Sequence, residues 1–156
     1  MVHELSPRVI AYCRGLIRDV ALAEDAAQDA LAALVQRWRR KGAPRSPEAF
    51  VFAVARRRAV RAIVRRRLLA PFEAHAAPVT APQPHLRAEQ SSELERVLGA
   101  VSRLSRRDRE ALLLVAVAEM DYRDAASVLG VSLPALKMRV HRARQRLVAA
   151  LDGGAP

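Results

Sequence analysis

The chain is poor in residues that staple, stack or coordinate. One cysteine in 156 residues excludes an internal disulfide and fits a reducing, cytoplasmic setting. Cys13 stands at helical spacing with Val9 and Leu16, the pattern of a core position. Aromatic residues make up only 4%, and no alternating β-branched run reads as a strand. Ala, Leu, Val and Arg dominate instead, so the composition predicts an all-α fold. The longest apolar run, Ala111 to Ala118, is too short to cross a bilayer, and the opening MVHELSPR lacks the apolar core of a secretory signal. His3, His75, His85 and His141 have no ligand spacing with cysteines or acids. Neither a Gly-rich phosphate loop nor a nucleophile motif is present. The expectation is a protein that is not an enzyme and uses no metal or cofactor.

What the chain has in excess is positive charge. Its 27 basic and 16 acidic residues give a net charge of +11, and all but two of the basic residues are Arg. The forked guanidinium pairs with phosphate and guanine edges in a way that Lys does not. The charge is unevenly spread: residues 1–67 hold 15 basic and 6 acidic side chains, 68–92 hold 1 and 2, and 93–156 hold 11 and 8. The middle segment, LLAPFEAHAAPVTAPQPHLRAEQSS, contains four prolines and no sustained apolar period. It reads as a flexible linker between two small helical domains, 1–67 and 93–156.

In the first block, Val9, Ile10, Cys13, Leu16 and Ile17 outline a short amphipathic helix. A second is expected from about Glu24 to Lys41, with Ala27, Leu31, Leu34 and Trp38 on one face. Its acids (Glu24, Asp25, Asp29) open it and its bases (Arg37, Arg39, Arg40, Lys41) close it, which complements the helix dipole. Ser46 is placed to cap a third helix beginning at Pro47. That helix collects Phe52, Ala55, Ala59, Ala62 and Ile63 on one side and Arg57, Arg58, Arg61 and Arg65 on the other. Four like charges so close repel one another, and a polyanion would relieve them. A merely solvated face normally mixes signs. Arg56 falls among the apolar positions and is expected to reach an acid on a neighbouring helix.

The second block opens with a helix carrying Leu94, Val97, Leu98 and Val101. Ser105 is placed to cap the next, with Asp108 three residues on, followed by the run Ala111 to Ala118. This stretch reads as scaffold. Then comes MDYRDAASVLGVSLPALKMRVHRARQRLVAAL. Asp121 and Ser132 are caps, Gly130 supplies a turn, and Ala126 allows close helix crossing, which together make a helix-turn-helix. In its second helix, Leu133, Leu136, Val140, Ala143 and Leu147 form the apolar stripe. Lys137, Met138, His141 and Arg142 project away from it, with Arg139, Arg144 and Arg146 on the flanks. Such a face suits the major groove.

At these motifs the chain resembles the extracytoplasmic-function (group 4, sigma-70 family) sigma factors of bacterial RNA polymerase. AEDAAQDALAALVQRWRR and PEAFVFAVARRRAVRAIVRRR are similar to that family's region 2 helices. LSRRDREALLLVAVAEMDYRDAASVLGVSLPALKMRVHRARQRL is similar to its region 4. The resemblance implies a factor that binds core RNA polymerase and directs promoter-specific transcription initiation. Region 2 would dock on the β′ clamp helices through Asp25, Gln28 and Asp29. It would also bind and open the −10 element with Arg57, Arg58, Arg61 and Arg65. Region 4 would sit on the β flap and read the −35 element with Lys137, Met138, Arg139, His141 and Arg142. An anti-sigma factor is a compatible further partner. The chain departs from the family pattern at Arg57, where Asn is frequent, and at Arg61, where Asp or Asn is.

Two other classes compete. A stand-alone DNA-binding regulator is supported by the second block alone, and the region 2 motifs count against it. An enzyme acting on nucleic acid finds no supporting motif.

Overall fold

The computed structural model describes the backbone of residues 1–73 and 88–153, with the side chains of all these except 71–73 and 88–91. The chain adopts the expected all-α fold, with no strand among the described residues. Its helices are α1 (Val2–Leu16), α2 (Val20–Lys41), α3 (Pro47–Glu73), α4 (Ala88–Arg103), α5 (Arg106–Ala116), α6 (Tyr122–Leu129) and α7 (Leu133–Asp152). The central part of the expected linker, 74–87, lies outside the described residues. On either side of it, α3 continues past 67 to Glu73 and α4 begins before 93, at Ala88.

Local chemistry sets where most helices start. Ser46, Ser105, Asp121 and Ser132 each accept the backbone N–H three residues on, at 3.2, 3.2, 2.9 and 3.2 Å. Each such cap contributes about 1 kcal/mol. Asp19 does the same for Leu22 at 3.1 Å, and so starts α2 at Val20 rather than near Glu24. Gly130, at φ 64°, ends α6 in the left-handed region that favours glycine, and the next N–H, of Val131, bonds back to the Ala126 carbonyl.

In the first half, α2 packs against α1 and α3 through small side chains. Ala23, Ala27, Ala30 and Leu34 are fully buried, one step round the helix from the expected face. Leu31 is therefore only partly buried, and Trp38 is 40% exposed. From α3, Val51, Phe52, Ala55 and Ala59 close this core. Tyr12 meets Phe52 edge to face, with ring centroids 5.5 Å apart. In the second half, Ala111 to Leu114, Ala125, Ala126, Leu129, Leu136, Val140 and Ala143 are buried around the helix-turn-helix.

The two halves share one contiguous core, with α1 lying on α5 and α3 on α6. A Cβ at Gly15 would stand 2.7 Å from Leu113 Cδ2, so α1 and α5 approach this closely only because residue 15 has no side chain. Arg8 donates from Nε to the Ala118 carbonyl at 2.8 Å, and its Nη2 donates to that carbonyl and to Glu48. Arg56 donates from Nε and Nη2 to Glu110 Oε2, at 3.2 and 3.1 Å. The acid expected for Arg56 is thus present, and it belongs to the other half of the chain.

Cys13 is fully buried, and burial pushes its thiol up to about 12. The folded protein should resist alkylation at pH 8 and react at once in denaturant, as mass spectrometry of labelled samples would show. Rapid labelling without denaturant would place Cys13 outside the core.

Candidate nucleic-acid interface

The capped α6, the Gly130 turn and the capped α7 hold the second half's basic face in place. Leu136, Val140 and Ala143 are buried on α7, so its opposite side turns outward. Lys137, Met138, His141 and Arg142 are exposed, Met138 at 62%, and Arg139 is half-buried. Lys137, His141 and Arg144 line a shallow hollow of about 260 Å³ against Tyr122 of α6. Five candidates therefore lie on one helix, with aliphatic Met138 and flat His141 between cations, a mixture suited to base edges and phosphates together.

Arg142 is not a free cation. Its Nε donates to Asp108 Oδ2 at 2.8 Å and its Nη2 to Oδ1 at 2.5 Å, and Arg146 Nη1 adds a contact to Oδ2 at 3.4 Å. Asp108, three residues after the cap Ser105, donates its backbone N–H to Ser105 Oγ, while its carboxylate, which also interacts with the Ser105 side chain, takes Arg142 of α7. The hydrogen bond from Arg142 holds that carboxyl below its usual range, against the opposing effect of burial. A lowered carboxylate pKa stabilises the fold at neutral pH, and that contribution is lost as pH falls through the lowered value.

On the first half, Arg57, Arg58, Arg61 and Arg65 are all exposed along α3. Asp25, Gln28 and Asp29 are exposed on α2. The two sets meet: Asp25 and Asp29 form one wall, and Arg58, Arg61 and Arg65 the other, of a groove of about 570 Å³. Arg58 Nη1 lies 3.6 Å from Asp29 Oδ2, and Arg66 Nη1 lies 3.7 Å from Asp19 Oδ2. Arg57 and Gln28 are not among the residues lining it. Sequence reasoning assigned these acids and arginines separately and missed that they face each other; Asp19 and Arg66 were missed altogether. Asp19 stands three residues after Leu16, the end of α1, and one before Val20, a cap signal that was available.

Comparison with known proteins places both halves in one family. Residues 1–68 match the Sigma-70 region 2 family model, and residues 94–147 match that of Sigma-70, region 4. The sigma factor CnrH of Cupriavidus metallidurans is 38% identical over 71 residues, which span 46% of this chain and 37% of CnrH. The ECF sigma factor EcfG of Rhodopseudomonas palustris is 41% identical over 59 residues, 38% of this chain and 33% of EcfG. The matched stretch thus spans about a third of either curated relative. Among solved structures, RpoE in complex with the anti-sigma factor NepR, from Bartonella quintana, superimposes with a TM-score of 0.77 at 25% identity. That match covers 99% of this chain and 96% of RpoE. CnrH in complex with the cytosolic domain of CnrY superimposes with a TM-score of 0.66 at 25% identity, covering 98% and 84%. With region 2 and region 4 matched in order, and the helical arrangement shared with two solved sigma factors, the chain belongs to the sigma-70 family.

Proposed function

We propose that this chain binds core RNA polymerase and directs promoter-specific initiation, as a cytoplasmic, non-catalytic subunit. No helix among the described residues is long and apolar enough to cross a membrane. The observation that carries the reading is the pairing, on one chain, of a region 2 arginine face with a region 4 helix-turn-helix. In this reading residues 1–67 dock on the β′ clamp helices through Asp25, Gln28 and Asp29. They engage the −10 element through Arg57, Arg58, Arg61 and Arg65. Residues 93–156 sit on the β flap and present Lys137, Met138, Arg139, His141 and Arg142 to the −35 element. Residues 68–92 join the two. NepR and CnrY, seen on the solved relatives, support an anti-sigma factor as a further partner.

Size adds a requirement. A compact chain of this length is about 40 Å across, whereas promoter elements two helical turns apart are separated by roughly 70 Å. The seam joining α1 and α3 to α5 and α6 therefore parts when both elements are held. Between Glu73 and Ala88 the chain has 14 residues, whose extended reach is at most roughly 50 Å, and the lengths of the two halves supply the rest.

The test is reconstituted transcription. Core polymerase with the purified chain should yield discrete transcripts from a subset of genomic promoters, and core alone should not. Specific tight promoter binding by the chain without polymerase would favour a stand-alone regulator instead. Within that assay, changing Arg57 and Arg61 together to Ala should reduce permanganate reactivity at the −10 region by about tenfold while closed-complex binding changes less. The two arginines share one exposed face, and single-stranded DNA is held electrostatically. Unchanged permanganate reactivity would remove them from promoter opening.

A further inference from the structure

Under the outward face of α7 lies a carboxylate that no part of the reading above uses. Asp108 sits in the first turn of α5 and is fully buried, so its position is set by the core and not by solvent. It grips the side edge of Arg142, the edge formed by Nε and Nη2. A guanidinium carries five N–H donors, and this grip occupies two of them. The outer edge, one hydrogen of Nη1 and the second of Nη2, keeps the fork geometry that matches guanine O6 and N7. Arg142 remains 47% exposed despite the pairing. A flexible arginine must give up rotamer freedom to read a base; one strapped to a buried carboxylate has already done so on folding.

We infer that Asp108 is a positioning residue that sets base specificity, orienting Arg142 so that its outer fork reads one guanine of the −35 element. The inference rests on the sigma-factor reading and adds to it a determinant that never touches DNA. Arg146, at 3.4 Å from the same carboxylate, supplies a second cation on the inner side. The strap is thus tied to α7 at two points one helical turn apart, which fixes the rotation of that helix over α5.

The experiment uses holoenzyme assembled from core polymerase and the full chain, bound to promoter duplexes with a randomised −35 element, with the bound sequences counted. The wild-type protein should enrich guanine at one position. Asp108→Asn, nearly the same shape but uncharged and with an NH₂ facing one guanidinium N–H, should lower that preference about tenfold and leave the other positions unchanged. Should Asp108→Asn fold poorly, Asp108→Glu, which keeps the charge but moves the carboxylate by one methylene, tests the same point and should lower the preference at the same position. Unchanged preference in the folded variants would overturn the inference. So would an equal loss across all sequences, which would make the pair a strut between α5 and α7. Absence of any −35 preference in the wild-type holoenzyme would instead overturn the sigma reading beneath it.

Discussion

Arg56→Ala should lower the unfolding free energy by about 3 kcal/mol and the melting temperature by roughly 10 °C. Glu110 is 1% exposed, and its Oε2 takes both hydrogen bonds that Arg56 offers. Its other oxygen, Oε1, makes no hydrogen bond among the described residues, and Arg106 Nε stands 3.8 Å from it. Removing Arg56 therefore strands a buried carboxylate with one long contact, the situation in which breaking an ion pair costs most. Changing both partners to Met should recover most of the loss, because the desolvation of both charges disappears along with their attraction. Chemical denaturation of the two single variants and the double variant checks this. Equal stability of Arg56→Ala and the wild type would show that the pair does not form across the seam.

That pair also bears on how the seam opens. An ion pair at an interface returns both charges to water when the halves separate, so its net hold is small even though losing one partner is costly. The Arg8 bond to the neutral Ala118 carbonyl is likewise replaced by bonds to water on separation. A seam closed by such contacts and by a Gly15–Leu113 approach is tight yet separable, as a two-domain grip on a promoter requires.

The second large effect concerns the groove between α2 and α3. Asp25→Arg with Asp29→Arg should weaken association with core polymerase by about 100-fold, since like-charge juxtaposition at an interface costs several kcal/mol. Two new cations would also face Arg58, Arg61 and Arg65 across the groove, and Arg58 would lose its partner Asp29 at 3.6 Å. That internal repulsion acts between exposed groups and is screened by salt, so the fold should survive and co-elution with core should report the docking loss. Normal co-elution of the double variant would take these acids out of the polymerase interface.

Which features the sequence disclosed follows from how local their causes are. The caps at Ser46, Ser105, Asp121 and Ser132 and the turn at Gly130 were legible because donor, acceptor and backbone lie within a few residues. The outward set on α7 was legible for the same reason, since the spacing of Leu136, Val140 and Ala143 fixes the opposite side. Alanine blurred α2. A helix face made of Ala23, Ala27 and Ala30 carries little hydrophobic contrast, so Leu31 and Trp38 drew the expected stripe one step round. Arg56 announced that it needed an acid, but nothing in its neighbourhood could say that Glu110, 54 positions away, would supply it. The local part of Asp108's role was legible, since it stands three residues after the cap Ser105 and bonds it, but its carboxylate's grip on α7 was not. Only the fold brings Arg142 to it. The contacts across the seam are all of this long-range kind.

The most direct test of a chain that reads two promoter elements while mounted on polymerase is a footprint of the reconstituted holoenzyme on a promoter mapped from its own transcripts. Protection should appear over two segments centred about two helical turns apart, with unpaired bases only in the downstream one, and only when chain and core are both present. A single protected segment that the chain produces unaided, unchanged by core, would contradict it.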